Sequence, residues 1–261
     1  GDLKIMVIPI KGVIGAGDMI SPNAGVSIEG VKALVDIVRE DDSYVGVLLD
    51  IDSPGGSVYS SDEIYSILKE LGEDVEIYAH FRGMSASGGY YIGCSASKIY
   101  ADPTCITGSI GVIVQTLNFS GLMEKMGVSV ETIKSGEVKD MMSPYKPMSE
   151  AEREIMKSIV DEYYERFVGI VSEARGMTIE DTKVVADARI YTATQAVAAG
   201  LVDEIMRVDD VYADIRDTHG DLSFVTYRRI PTLLDVLGGY RADSELRNAL
   251  KLLPQNNTPV F

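Results

Sequence analysis

The sequence is short of positive charge, histidine, cysteine and long apolar runs, and each shortage removes a class of function. Its 24 Lys+Arg stand against 40 Asp+Glu, a net charge of −16 over 261 residues. Proteins that grip a phosphate backbone neutralise it with clustered lysines and arginines, so nucleic acid is not an expected partner. The two cysteines, Cys94 and Cys105, are too few for a disulfide framework and lack the spacing of a metal site; they read as free, buried thiols. His80 and His219 stand in unrelated contexts without HExxH or HxxxH spacing, so no metal is expected and any catalysis works largely without imidazole. Neither GxGxxG nor GxxxxGK occurs, and no cofactor is expected. No stretch of about 18 residues is both uncharged and strongly apolar, so the sequence as given holds no membrane-spanning helix. The start, Gly1-Asp2-Leu3-Lys4, is not a signal peptide and lacks an initiator Met, which reads as a trimmed N-terminus.

What is present is a globular composition, 46% hydrophobic and 25% charged, long enough to bury a sizeable core. Apolar runs of strand length alternate with amphipathic patterns. Residues 4–14, 45–50, 75–81, 99–101 and 128–134 read as strands. Residues 27–41, with Ser27 as N-cap, 57–71 and 86–95 read as helices, the last following a small-residue turn at 83–85. Ser149 and Glu152 form a capping box that opens a long helix to about Ala174, and shorter helices follow at 178–186 and 192–199. Residues 201–205 return to the sheet. Strands alternating with helices imply βαβ units and mostly parallel pairing. The simplest organisation is one α/β domain over residues 1–230, with a helical C-terminal extension and tail over 231–261, amphipathic at 244–253.

Two glycine-rich segments each follow a strand and precede a helix: Asp52-Ser53-Pro54-Gly55-Gly56-Ser57 and Gly83-Met84-Ser85-Ala86-Ser87-Gly88-Gly89-Tyr90-Tyr91. Such turns present backbone N–H groups at a helix N-terminus and let a ligand oxygen approach closely. In a parallel sheet they gather at the carboxyl ends of neighbouring strands, so the two should face one site, with the Gly88 N–H aimed where an oxyanion would form. A nucleophilic serine there needs a base. His80 lies within a strand pattern and His219 in a polar turn, which leaves lysine. Lys139 lies in a loop flanked by Val138, Met141 and Met142. At an ordinary lysine pKa of about 10.4, roughly one amine in a thousand is neutral near pH 7.4; making it mostly neutral means lowering that value by about three pH units, about 4 kcal/mol, which burial supplies. Spacing alone does not single out Lys139.

Five ordered motifs together resemble the signal peptide peptidase A family over roughly residues 3–210. They are Asp52-Ser53-Pro54-Gly55-Gly56; Ser85-Ala86-Ser87-Gly88-Gly89-Tyr90-Tyr91; Thr107-Gly108-Ser109-Ile110-Gly111-Val112; Lys134-Ser135-Gly136 with Lys139-Asp140 and Ser143-Pro144; and Arg189-Ile190-Tyr191-Thr192 with Ala196 and Gly200-Leu201-Val202-Asp203-Glu204. The resemblance, to the short single-domain form, implies a Clp protease/crotonase-like spiral of ββα units. It implies Ser87 as nucleophile, Lys139 as general base, Ser109 orienting the lysine amine, and Gly56 and Gly88 as oxyanion-hole donors, with Gly55 shaping that turn. It further implies cleavage of remnant signal peptides and other apolar, extended peptides, assembly into a homo-oligomeric ring, and a protease domain outside the cytoplasm on a membrane tether that lies outside this chain. Three other readings use the same features. A Clp-type triad needs a histidine about 25 residues after the nucleophile, and residues 107–115 contain none. A crotonase-like acyl-CoA enzyme would not need the Ser87 and Lys139 pair, and a non-catalytic ring scaffold would survive loss of Lys139.

Overall fold

The computed structural model describes residues 3–15 and 25–227. The elements follow in the order β1 (Leu3–Lys11), α1 (Ile28–Glu40), β2 (Tyr44–Ser53), α2 (Val58–Leu71), β3 (Glu76–Ala86), α3 (Gly88–Gly93), β4 (Lys98–Ala101), β5 (Ile106–Gly108), α4 (Ser120–Lys125), α5 (Glu150–Arg175), α6 (Ile179–Val185), β6 (Ile190–Thr192), α7 (Ala193–Ala198), β7 (Glu204–Ile205), α8 (Val208–His219) and β8 (Leu222–Val225). The extension and tail expected over 231–261 lie outside the described residues.

The described residues divide into two compact units, one formed by residues 3–15, 25–111 and 167–227, the other by 112–166. The first carries the eight-stranded sheet, in the order β6-β5-β3-β2-β1-β8, with β4 also paired to β3 and β7 paired to β4. Every pairing is parallel except β5 with β6. Alternation sorts β2 into two apolar faces. Leu48 packs with Ile5, Val7, Tyr78, Tyr100 and the α8 residues Val211 and Ile215. On the opposite face, Leu49 and Ile51 are fully buried, and a Cβ placed on Gly89 of α3 would lie 3.6 Å from Ile51. Both faces of the central strands are therefore covered, as parallel sheets require.

Caps fix the helix starts where the sequence signals them. Ser27, Ser57 and Thr192 each accept from a backbone N–H three residues on. Ser149 and Glu152 exchange both bonds of the capping box, at 2.9 and 3.2 Å. Two expectations are corrected. Residues 83–85 are not a turn before a helix but belong to β3, which pairs with β4 through Phe81 and with β5 from Met84. The Ile51–Phe81 pair is followed by Ser53–Ser85, so β3 inserts two extra residues and swings to its new partner. Residues 128–134 form no strand; Val128, Val130 and Ile133 are exposed, and no ladder partner exists for them among the described residues. A β-rich pattern supplies propensity, but a strand needs an edge to pair with.

In the second unit, described over residues 112–166, α4 is short and much of the remainder is irregular. Ile113, Leu117, Leu122, Met126 and Ile133 are all more than half exposed. No helix among the described residues is long and apolar enough to cross a membrane.

Candidate active site

The two glycine-rich turns meet in the first unit. A Cβ on Gly55 would lie 2.8 Å from the Gly88 nitrogen and 2.9 Å from the Ser87 Cβ, so only glycine lets the turn lie flat against the start of α3. Gly55 also has φ of 105°, which an L side chain rarely adopts. Its neighbour Gly56 pairs with Ile14 in a parallel bridge, in which Ile14 N–H donates to the Gly55 carbonyl and Ser57 N–H to the Ile14 carbonyl, both at 2.9 Å. The bridge leaves the Gly56 N–H unused, and among the described residues neither it nor the Gly88 N–H has an acceptor. Gly88 is the first residue of α3, where backbone N–H groups have no partner within the helix.

Ser87 stands at the joint between β3 and α3 with φ 52° and ψ −119°, a strained conformation for a residue with a side chain. Its neighbours hold it there. The Ser87 N–H donates to the Gly108 carbonyl at 2.8 Å, and its own carbonyl accepts from Tyr91 N–H at 2.9 Å. The Tyr90 hydroxyl donates to the Leu201 carbonyl at 2.8 Å and the Tyr91 hydroxyl to Asp62 at 2.5 Å, pinning α3 from both sides. The Ser87 hydroxyl caps nothing. It is half-buried, so it can be reached from solvent.

Ser109 follows the carbonyl that receives the Ser87 N–H. It has φ of 50°, is half-buried, and donates its N–H to the Arg189 carbonyl at 2.7 Å. Gly108 before it cannot be replaced without collision, since a Cβ would lie 2.5 Å from the Tyr191 ring. The structure thus brings Ser87, Gly88, Gly56 and Ser109 together around the ends of β2, β3 and β5.

Lys139 belongs to the second unit, in a turn where its N–H donates to the Gly136 carbonyl. The apolar, partly closed loop expected around its amine is not formed by the described residues: Lys139 is exposed, and Val138 beside it is 37% exposed. Ion pairs hold the turn. Asp140 accepts from Lys134 at 2.8 Å and Lys146 at 3.0 Å, and Lys146 reaches Glu152 at 2.5 Å. The Lys134 and Lys146 ammonium groups hold the Asp140 carboxyl below its ordinary range, and Lys146 with the Ser149 N–H does the same for Glu152.

Neither histidine is near this chemistry. His80 is fully buried, with Nε2 donating to the Met206 carbonyl at 3.0 Å, and burial pushes its pKa below the usual value. His219 closes α8, rather than lying in a turn, and hydrogen-bonds the Tyr78 hydroxyl. Cys94 and Cys105 are free and buried, and burial pushes both thiols up to about 12, far from a reactive thiolate. No cluster of metal-ligating side chains occurs among the described residues.

A parallel α/β sheet with a strained serine at a strand-to-helix joint and a glycine turn laid against it defines a protein of the Clp protease-like fold. A ClpP1 variant of Listeria monocytogenes superposes with TM-score 0.52 at 19% identity, covering 78% of this chain and 92% of that one; this likeness shows the fold alone. Residues 24–107 match the Clp protease family. Residues 69–221, more than half of the chain, match Peptidase family S49, and the chain belongs to that family. An Enterococcus faecium protein named as a signal peptide peptidase SppA is 44% identical over 180 residues, 69% of this chain and 52% of that protein. A Synechocystis protein named as a protease is 40% identical over 207 residues, 79% of this chain and 71% of that protein. The chain spans about half the length of the first of these relatives.

Sequence reasoning gave no role to Ser53, which the structure buries completely beneath the Gly55-Gly56 turn. The available signal was a hydroxyl in phase with Leu49 and Ile51, where alternation calls for an apolar side chain.

Proposed function

We propose that the chain is a serine endopeptidase working through a Ser87–Lys139 dyad on apolar, extended peptides, including remnant signal peptides. The strained Ser87, with the N–H groups of Gly88 and Gly56 at the same turn junction and unpaired among the described residues, is the observation that carries this reading. Uncharged Lys139 takes the proton from the Ser87 hydroxyl as its oxygen attacks the scissile carbonyl carbon. The two N–H groups bind the oxyanion, the lysine returns the proton to the leaving amine, and a water activated by the same amine releases the acyl group. Ser109 orients the lysine amine. Extended substrate adds as a strand beside the Gly55-Gly56 segment.

An amine becomes a base when it is covered, because burial disfavours the ammonium form. Lys139 is exposed within the chain, and the unit that carries it also exposes Leu122, Met126 and Ile133. Association of several copies into a ring would provide cover for both. The site of action is the membrane surface outside the cytoplasm, where remnant signal peptides arise. The test is turnover of an apolar fluorogenic peptide by wild type, Ser87→Ala and Lys139→Ala. Both variants should lose at least about 1,000-fold in kcat while keeping the wild-type circular dichroism. Full activity in Lys139→Ala removes the proposed base.

A further inference from the structure

We propose that Ser53 is a positioning residue of this reaction: its buried hydroxyl fixes the Gly55-Gly56 turn and thereby aims the Gly56 N–H at the oxyanion. The inference rests on the Ser87 peptidase reading and adds to it a residue that touches neither substrate nor nucleophile.

Ser53 ends β2 and has no solvent exposure. A hydroxyl in such a place is costly unless both its hydrogen and a lone pair are used. Both are. It donates to the Gly12 carbonyl at 2.6 Å and accepts from the Gly55 N–H at 3.1 Å. These partners are the two arms of a single device. Gly12 leads into Ile14, and Gly55 leads into Gly56; Ile14 and Gly56 then pair in the parallel bridge. One side chain therefore clamps both strands of the bridge that carries the Gly56 N–H. The backbone of Ser53 reaches α3 as well, since a Cβ on Gly89 would lie 3.0 Å from the Ser53 carbonyl oxygen. The residue registers the turn against the helix that presents Ser87 and Gly88.

An oxyanion donor acts through placement fixed before the reaction, and a loosened donor loses part of its effect on the transition state while leaving substrate binding alone. Without the hydroxyl, the buried Gly55 N–H loses its acceptor and the Gly12 C=O loses its donor, and the bridge is free to shift. The expected signature is a fall in kcat at nearly constant KM.

The experiment uses the full chain as wild type and Ser53→Ala, with Ser95→Ala as control. Ser95 also donates a buried hydroxyl, to the Ile92 carbonyl at 2.7 Å, at the far end of α3. Three quantities are measured: kcat and KM on an apolar fluorogenic peptide, inhibition by a peptide aldehyde whose hemiacetal oxygen occupies the oxyanion site, and binding of the same peptide in a Ser87→Ala background. Ser53→Ala should lower kcat by about ten- to a hundred-fold and weaken the aldehyde by a similar factor, with KM and peptide binding within about two-fold. Ser95→Ala should change none of them. Should Ser53→Ala fail to fold, Ser53→Cys keeps the side-chain shape with a weaker donor, and a smaller loss of the same pattern is expected. An unchanged kcat in either variant, or equal losses in aldehyde and peptide binding, overturns the inference. Absence of Ser87-dependent turnover in wild type is a different result: it defeats the peptidase reading itself, and this inference with it.

Discussion

The two compact units hold Ser87 and Lys139 by different means. In the first, Ser87 is fixed by backbone hydrogen bonds and by helix α3, whose six residues are all buried. In the second, Lys139 is exposed on a turn held by the Lys134, Asp140, Lys146 and Glu152 ion pairs. Packing fixes a nucleophile in a strained shape that persists without a partner. Ion pairs fix where a turn goes but do not dry the amine it carries. Ser87, the proposed nucleophile, is preorganised within its own unit, whereas Lys139, the proposed base, has no cover among the described residues.

Stability should break the units apart first. Leu68 is fully buried on α2, and Leu68→Ala should cost about 2–5 kcal/mol, read as a lower urea midpoint. Ile133→Ser, in the second unit, removes an exposed side chain and should leave the midpoint within about 0.5 kcal/mol. A large loss there would mean that the apolar second-unit surface already supports the isolated chain.

Gly55→Ala tests the preorganised half. The new methyl would sit 2.8 Å from the Gly88 nitrogen at a φ of 105°, so a cost of about 1–3 kcal/mol is expected. Because the strain falls on the turn proposed to hold the oxyanion, peptide turnover should drop at least about 100-fold. An active, stable Gly55→Ala protein would show that this close approach is not needed.

Much of the first unit is legible in the sequence. Alternation and helical spacing locate its central strands and helices, and the cap at Ser27 is a local signal that its bond from Gly30 N–H bears out. That the two glycine turns face each other follows from parallel topology. What local pattern cannot reveal is where a strand changes partner. The two-residue insertion in β3 turns an expected loop at 83–85 into ladder, because β5 offers a new edge there. The same blindness, in reverse, makes residues 128–134 read as a strand although no edge is offered. Ser53 is hidden by its ordinariness within the motif, and its partners Gly12 and Gly55 lie on either side of a crossover.

Acid should separate the units by pH. His80 is neutral in its buried site, with a pKa below the ordinary 6.5. As pH falls below about 6.5 the unfolded chain takes up a proton that folded His80 refuses, so stability declines, by at most about 1.4 kcal/mol per pH unit. Asp140 and Glu152 have values lowered from the ordinary 3.8 and 4.5, so their contribution is full above that range and is lost as pH falls through and below it. Urea midpoints between pH 7.5 and 5 should thus decline in wild type and flatten in His80→Gln. An equal slope in both would assign the acid response elsewhere.

The smallest effect concerns the ion-paired turn. Lys146→Met removes the cation that links Asp140 to Glu152, and the N–H groups of Lys139, Met141 and Ser143 should exchange about two- to five-fold faster, with salt producing a similar change in wild type. Unchanged protection in Lys146→Met would mean that the turn holds its shape without the ion pairs.

The dyad is tested most directly by labelling with a fluorophosphonate, in which the serine oxygen bonds to phosphorus and fluoride leaves. The labelled peptide, identified by mass spectrometry, should contain Ser87, and Lys139→Met should slow labelling at least about 100-fold without altering circular dichroism. Labelling at another serine, or at the wild-type rate in Lys139→Met, would contradict the assignment of Ser87 and Lys139 as nucleophile and base.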